Sequence, residues 1–233
     1  MPTMFEIYKA HSKEYDELVN AEDYKNNLGE YLKTKFDWKN KVVYEAGIGT
    51  GRVTNYYISQ AIHCYGFDYE EHMLSQCKMN HSANIDKMTL NIAENLKLKP
   101  VDEEVDVFIE GWSFGHTMNQ NSDNLNVAIE LLIDNIKGIV KENGEILIIE
   151  SLGTNVEESG TTKEYTKYFY KILEGKYKFS KTILRTDYKF KDYKEASRVM
   201  GFFFGDEMKS DIENYKKEII KEYTGVWYLK NRG

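Results

Sequence analysis

The sequence predicts an α/β domain in which strands alternate with helices around one sheet, and three observations carry that expectation. The β-branched and aromatic run Val42-Val43-Tyr44-Glu45-Ala46 reads as a buried strand and stops abruptly at a glycine-rich turn, Gly47-Ile48-Gly49-Thr50-Gly51. Further strand-like runs at 62–68, 87–93, 105–110 and 145–150 are separated by segments of helical spacing. At 233 residues the chain is long enough to bury one α/β core with an appended segment, without staples.

Residues 4–19 and 22–36 read as two helices. Their apolar and aromatic positions are Phe5, Tyr8, Tyr15, Leu18 and Val19, then Tyr24, Leu28, Tyr31, Leu32 and Phe36, with Ala21-Glu22-Asp23 starting the second helix. The three glycines after the first strand matter for what they lack. Without a Cβ, the chain can take conformations closed to other residues, and a ligand can lie directly on the peptide groups beside a helix N-terminus. Val53 to Ile62 is amphipathic and is expected to be that helix.

Ile62 to Asp68 reads as a second strand ending in an acid, seventeen residues beyond Gly51. A carboxylate at the carboxyl end of the neighbouring strand is placed to accept both hydroxyls of a ribose. Tyr69 to Leu74 opens a helix, and Lys87 to Ala93 reads as a third strand followed by Glu94-Asn95-Leu96. Pro100 to Glu104 is a turn and Val105 to Glu110 a fourth strand. Gly111-Trp112-Ser113-Phe114-Gly115-His116-Thr117 reads as a loop above the sheet's carboxyl edge, where chemistry sits in such folds.

Ser122-Asp123 caps a long helix with apolar positions Leu125, Ala128, Ile129, Leu132, Ile133, Ile136 and Val140; Asn143-Gly144 ends it, and Glu145 to Glu150 is a fifth strand. Beyond 151 come a polar loop to Thr162, a helix from Lys163 to Glu174 and an alternating strand from Tyr177 to Phe190. Short helical pieces at 196–200 and 208–215 precede a last strand from Ile219 to Leu229.

The glycine spacing separates two ligand classes. A dinucleotide fingerprint places its third glycine five positions after the first, but Arg52 stands there; the third glycine is Gly51, giving G-x-G-x-G with Glu45 two residues ahead. This pattern resembles motif I of the class I S-adenosylmethionine-dependent methyltransferases. The resemblance extends over roughly residues 40–150 and implies a Rossmann-like doubly wound seven-stranded sheet with an antiparallel C-terminal strand pair and an N-terminal helical cap. It divides the chain into a cap at 1–39, a cofactor-binding core at 40–151, and a C-terminal part of the same domain at 152–233, holding the last strands and a substrate lid.

Carried over by position, the resemblance assigns Glu45, Gly47, Gly49, Gly51, Asp68, Tyr69, Met73, Ala93, Glu94 and Glu110 to the cofactor. The family's acid followed five positions later by Met-Leu is matched by Asp68 and Met73-Leu74, the Met lying on the adenine, although Met73 also suits a plain core position. The family's Asp-Ala-Glu-x-Leu corner has Ile92 in place of Asp here, which leaves the adenine contact to backbone around Ala93 or to Glu94. Tyr15-Asp16 corresponds to a pair in the cap helix that closes over the cofactor; packing on the sheet is the alternative for such a tyrosine.

The implied cofactor is S-adenosyl-L-methionine, with S-adenosyl-L-homocysteine as product and no metal. Its sulfonium makes the methyl group an electrophile, so the protein mainly aligns a nucleophile opposite the leaving sulfur and excludes water. The Asn-Pro-Pro-Tyr type of motif that would indicate an amide or exocyclic base nitrogen is replaced by Glu110-Gly111-Trp112-Ser113, and strand five runs into Glu150-Ser151-Leu152-Gly153 rather than the acid pair of metal-dependent members. His116 is the candidate base, because an imidazole can titrate near neutrality; a substrate hydrogen-bonder is the alternative. Trp112, Phe114 and His116 are the expected acceptor wall. Tyr168, Phe169 and Phe202-Phe203-Phe204 add aromatic surface suited to a partly apolar or cationic acceptor. The expected activity is methyl transfer to a small molecule; a non-catalytic cofactor-binding regulatory or assembly module is the competing class, and a nicotinamide-dependent oxidoreductase is disfavoured by the glycine spacing.

The formal charge is −7, with the lysines scattered, so no electrostatic footprint for nucleic acid is visible. Two cysteines, Cys64 and Cys77, in no ligand spacing, point to a reducing compartment. No apolar run approaches a membrane span. A cytoplasmic monomer or homodimer is expected.

Overall fold

The computed structural model describes Glu6 and residues 10–232. Its sheet has seven strands in the order β3-β2-β1-β4-β5-β9-β6. These are β1 Val42–Ala46, β2 His63–Asp68, β3 Met88–Ile92, β4 Val105–Gly111, β5 Val140–Thr154, β6 Ser180–Arg185 and β9 Glu222–Lys230. Strands β3, β2, β1, β4 and β5 are parallel, while β9 runs antiparallel between β5 and β6. The strand order reverses between β1 and β4, where a doubly wound sheet opens a crevice beyond its carboxyl ends.

The helices before the sheet are α1 Ser12–Ala21 and α2 Asn27–Lys35. The part of the first expected helix before residue 10 lies, Glu6 apart, outside the described residues. Glu22-Asp23 sits between the helices rather than inside the second. The Asp23 carboxylate accepts the N–H groups of Asn27, Leu28 and Gly29 at 2.8, 2.9 and 3.3 Å, satisfying donors that the first turn of α2 leaves open. Around the sheet lie α3 Glu71–Asn80, α4 Phe114–Gln120, α5 Leu125–Ile139 and α6 Glu164–Gly175. Two large cores flank the sheet, one around Phe108, Ile133, Ile148 and Trp227, the other around Trp38, Val43, Ile109 and Leu147.

Five expectations change. Ser122–Asn124 is a 3-10 turn and no side chain caps α5, so Ser122-Asp123 is not its cap. The helix stops at Ile139 and β5 begins at Val140, so Val140 and Asn143-Gly144 lie in the strand rather than at the helix end. Val53–Tyr56 forms a single 3-10 turn instead of an α-helix reaching Ile62. Val53, Thr54, Tyr57 and Ile58 are all buried there, so the segment has an apolar majority facing inward but too few regular turns to lie as a helix on the sheet. The segment after β4 is not a loop throughout, because α4 begins at Phe114. The expected strand from Tyr177 to Phe190 divides: β6 pairs with β9, whereas β7 Tyr188–Lys189 pairs with β8 Ile219–Ile220 in a separate two-stranded sheet.

Between β7 and β8 the chain inserts α7 Tyr193–Phe204 and α8 Asp206–Tyr215. This insertion has its own core of Tyr188, Phe190, Val199, Met200, Phe203, Ile212 and Ile220, and Leu18 of α1 belongs to it. The insertion therefore packs on α1, near the start of the described chain.

Candidate active site

A cavity of about 370 Å³ opens at that edge, within the ~300–1,000 Å³ range of small-molecule sites. Its floor is the turn after β1. Gly47 and Gly49 have φ of +59° and +55°, in the left-handed region. A Cβ on Gly49 would meet nothing nearer than Met73 Cε at 3.7 Å and Gly47 O at 4.0 Å, so the glycine leaves bare peptide toward the cavity. A Cβ on Gly47 would stand 2.2 Å from Ser113 Oγ, so that glycine is required by the close approach of the segment after β4.

Asp68, at the end of β2, ties the floor to the next helix. Its Oδ2 accepts the N–H of Gly49 at 2.8 Å and its Oδ1 accepts the N–H of Glu70 at 2.9 Å. Burial raises its pKa above the usual range for an aspartate, against the pull of these backbone donors. Tyr69, Glu70 and Met73 continue one wall, and Ala93, Glu94, Asn95 and Leu96 the far end. Opposite them stand Gly111, Trp112, Ser113, His116 and Thr117. Tyr15 of α1 also lines the cavity, and burial pushes its hydroxyl up to about 12.

Ten of the residues named from the sequence thus meet at one cavity: Tyr15, Gly47, Gly49, Asp68, Tyr69, Met73, Ala93, Glu94, Trp112 and His116. Four do not line it. Gly51, at φ +88°, packs its bare Cα against His81, whose Nε2 lies 2.9 Å from Gly51 O. The Glu45 carboxylate turns under the sheet, where Tyr57 donates to it and Thr54 Oγ1 donates at 2.7 Å; burial lifts it to about 7.

Glu110 is fully buried, and its Oε1 accepts the N–H groups of Ser113 at 2.5 Å and Phe114 at 3.0 Å. Glu150 of β5 accepts the N–H of Gly115 at 2.6 Å. The two carboxylates hold the start of α4, while Glu110 Oε2 is buried without a hydrogen-bond partner among the described residues; burial and the proximity of Glu150 put Glu110 well above its ordinary range, and burial raises Glu150 to about 7. Phe114 is fully buried against Phe108, with ring centroids 6.2 Å apart, because α4 turns its apolar face to the core. Phe169 is likewise in the core, and Tyr168 bonds Asn126 on the surface.

His116 lies on the cavity side of α4, and burial together with the charge of Lys163 depresses its pKa to about 4. The expected titration near neutrality is corrected accordingly: the imidazole is neutral across the physiological range. Sequence reasoning passed over Asn95, whose amide donates to Ser113 Oγ at 3.2 Å and Thr117 Oγ1 at 3.0 Å and so joins the two ends of the wall. It also passed over Arg52, whose guanidinium stacks 3.7 Å from the Trp112 ring centroid and pairs with Glu22 at 2.9 Å. Trp112 itself has φ +57°, an uncommon conformation for a bulky residue, held by a hydrogen bond from its N–H to Ile149 O at 2.7 Å. The described residues contain no cluster of three or more His, Cys, Asp or Glu able to hold a metal. No described helix is long and apolar enough to cross a membrane.

Known proteins agree with this geometry. A family model described as a methyltransferase domain matches residues 43–143. No curated protein matches the sequence. The fold is similar to that of the YcgJ protein of Bacillus subtilis, at 10% identity and a TM-score of 0.59 over 90% of this chain and 100% of that one. It is also similar to phosphoethanolamine N-methyltransferase 2 of Haemonchus contortus, solved with S-adenosyl-L-methionine, at 11% identity and a TM-score of 0.58 over 97% and 60%. A Pyrococcus horikoshii protein assigned as an RNA methyltransferase shares 12% identity with a TM-score of 0.52 over 87% and 81%. The family match thus identifies residues 43–143 as a methyltransferase domain, and the fold around it is similar to that of solved methyltransferases, one of them with S-adenosyl-L-methionine bound.

Proposed function

We propose that the protein transfers the methyl group of S-adenosylmethionine to a small-molecule acceptor, in the cytoplasm, as a monomer or homodimer and without nucleic acid or membrane as partner. The observation that carries this reading is the junction of Gly49 and Asp68: a bare peptide floor hydrogen-bonded at 2.8 Å to a carboxylate on the rim of one cavity. Asp68 would meet the ribose hydroxyls, Gly47 and Gly49 would support the amino-acid part, and Met73, Ala93, Glu94 and Asn95 would enclose the base. When bound, the cofactor supplies an electrophilic methyl group. The chain's part is to align the acceptor and keep water out, which Tyr15 and Trp112 do as walls.

A small acceptor is favoured over RNA by the roof. The insertion between β7 and β8 packs on α1, and a chain of net charge −7 offers little attraction to a polyanion. The division at 1–39, 40–151 and 152–233 is read in these terms: cap, cofactor core, and the strands and lid that complete the acceptor side. His116, neutral and beside the cavity, acts as an acceptor-side hydrogen-bonding group or weak base. Calorimetry with S-adenosylhomocysteine and with NAD tests the cofactor reading; tight NAD binding and no binding of S-adenosylhomocysteine would overturn it. Methyl transfer from labelled donor to a protein-free metabolite extract, and not to RNA, is the expected outcome for the acceptor.

A further inference from the structure

Behind the Tyr15 and Trp112 walls lies a second polar cluster, built from four distant parts of the chain. Glu22 follows α1, Arg52 follows the glycine turn, Tyr188 lies on β7, and Glu222 opens β9. Glu22 Oε2 pairs with Arg52 Nη1 at 2.9 Å, and Ser151 Oγ donates to Glu222 Oε1 at 2.6 Å. Each carboxylate then keeps one oxygen without a close, well-aligned hydrogen-bond partner among the described residues, Glu22 Oε1 and Glu222 Oε2, as does Arg52 at Nη2, with Tyr188, Thr154 and Tyr56 as the polar neighbours of Glu22, Glu222 and Arg52 in turn. Glu222 is only 1% exposed and Glu22 8%.

Polar oxygens without a well-aligned partner at this depth are costly, so a site of this kind implies a ligand or ordered water that completes it. The groups share one interior. Glu222 feels both Glu22 and Arg52, Tyr188 feels all three, and the Tyr15 hydroxyl that lines the cofactor cavity feels Arg52 and Glu22. The cluster also abuts the cofactor cavity through the Arg52 guanidinium stacked on Trp112.

We infer that this cluster is the acceptor subsite and that the acceptor is an amine: its N–H groups meet Glu22 Oε1 and Glu222 Oε2, while Arg52 Nη2 meets an oxygen on the same molecule. The inference rests on the methyltransferase reading above. For transfer, the amine nitrogen gives up a proton to the free oxygen of Glu222 and its lone pair forms the new N–C bond. The S–C bond breaks with its electron pair remaining on sulfur. Burial and the neighbouring Glu22 raise Glu222 well above its ordinary range, while Arg52 pulls it down, so it is suited to take that proton.

The test uses the full chain and a matched set of probes: 2-amino-1-phenylethanol, 2-phenylethanol and mandelate, titrated calorimetrically with and without saturating S-adenosylhomocysteine. The amine should bind at least about tenfold tighter than the other two. Glu222→Gln and Glu22→Gln, made separately so that one folding failure leaves the other, should each weaken the amine about 5- to 50-fold with S-adenosylhomocysteine affinity unchanged. With labelled donor and metabolite extract, labelled product should be retained on a cation exchanger. Equal binding of the three probes, an amine affinity unmoved in both variants, or label in neutral or anionic product would overturn the subsite while leaving the cofactor reading standing. Failure of S-adenosylhomocysteine to bind, with amine selectivity retained, would overturn the cofactor reading and keep the subsite.

Discussion

Replacing Asp68 probes the floor and the rim at once, because its carboxylate has two structural partners besides the proposed ribose. The Gly49 N–H at 2.8 Å and the Glu70 N–H at 2.9 Å each donate to a different oxygen. Asn in its place keeps one acceptor oxygen and turns an N–H₂ group toward the other donor. A hydrogen bond to a charged group contributes about 1.5–3 kcal/mol, and a buried donor left open costs about 1–3 kcal/mol. Asp68→Asn should therefore lower stability by roughly 1–3 kcal/mol, which in a domain of this size is about 2–12 °C in Tm.

For the cofactor, loss of a carboxylate shared by two hydroxyls corresponds to about 1–3 kcal/mol, or roughly 5- to 150-fold in Kd. The two effects separate experimentally. Thermal unfolding reads the first, and calorimetry with S-adenosylhomocysteine at a temperature well below the variant's Tm reads the second. Asp68→Glu serves as comparison, since it keeps the charge but moves it away from both N–H groups. An Asp68→Asn protein with a lowered Tm and an unchanged Kd would show that Asp68 only builds the turn, and the ribose assignment would fail.

Gly49→Ala meets only ordinary contacts at its Cβ but forces an L residue to φ +55°, so it should fold with a loss of about 1–2 kcal/mol, and S-adenosylhomocysteine should bind at least about tenfold more weakly; equal affinity in calorimetry would remove Gly49 from the site. His116 is held at about 4 against an ordinary 6.5, so the stability it contributes is complete above pH 6.5 and is lost as the pH falls through 4. Unfolding of wild type and His116→Gln between pH 7 and 4 should show the wild type losing more, and a nuclear magnetic resonance titration placing His116 near 6.5 would refute this. Glu45 works in the opposite direction: raised from 4.5 to about 7, it contributes stability that is present below 4.5 and lost as the pH rises through 7. Glu45→Gln should flatten that decline in unfolding experiments, and an unchanged slope would place the effect elsewhere.

Parts of the fold that depend on local patterning were legible in the sequence. The strands β1 to β4 follow β-branched runs bounded by Gly, Pro and acidic residues, and the long helix α5 keeps an uninterrupted apolar stripe. The cavity floor was legible for the same reason. Gly47, Gly49, Asp68 and Met73 lie within 27 residues of one another, and the strand–turn–strand path leaves them little freedom in where to meet. Misreadings arose where a residue's partner is remote. Glu45 and Glu110 hold sequence positions that suggest a ligand, but Tyr57 and the N–H groups of Ser113 and Phe114 take their carboxylates first. Phe114 stands in a segment that ought to face the acceptor, yet the helical start fixed by Glu110 and Glu150 rotates it into the core.

The acceptor side shows the limit most sharply, since no local pattern announces it. Glu22 looks like one half of an N-cap dipeptide whose other half, Asp23, does cap α2. Arg52 looks like a misplaced glycine, and Glu222 like one charge in an alternating strand. Only the return of the chain through β7, α7, α8 and β8 onto α1 brings them together, across 200 residues between Glu22 and Glu222. A buried, mutually opposed set of charges costs stability unless something completes it, and a hydrophobic set of the same volume would be no less stable. The glycine floor is a feature of the fold's first crossover, whereas residues from 152 onward supply α6, the sheet strands β6 and β9 and the insertion of α7 and α8, and only the return of the chain into β9 brings Glu222 beside Glu22 and Arg52. Selectivity for the acceptor therefore belongs to Glu22, Arg52 and Glu222, and exchanging residues 186–221, which leaves all three in place, between two proteins with this same floor should leave both the acceptor and S-adenosylhomocysteine affinity unchanged, with calorimetry and product analysis as the paired readouts; a chimera that adopts the donor's acceptor would place selectivity in the insertion between β7 and β8.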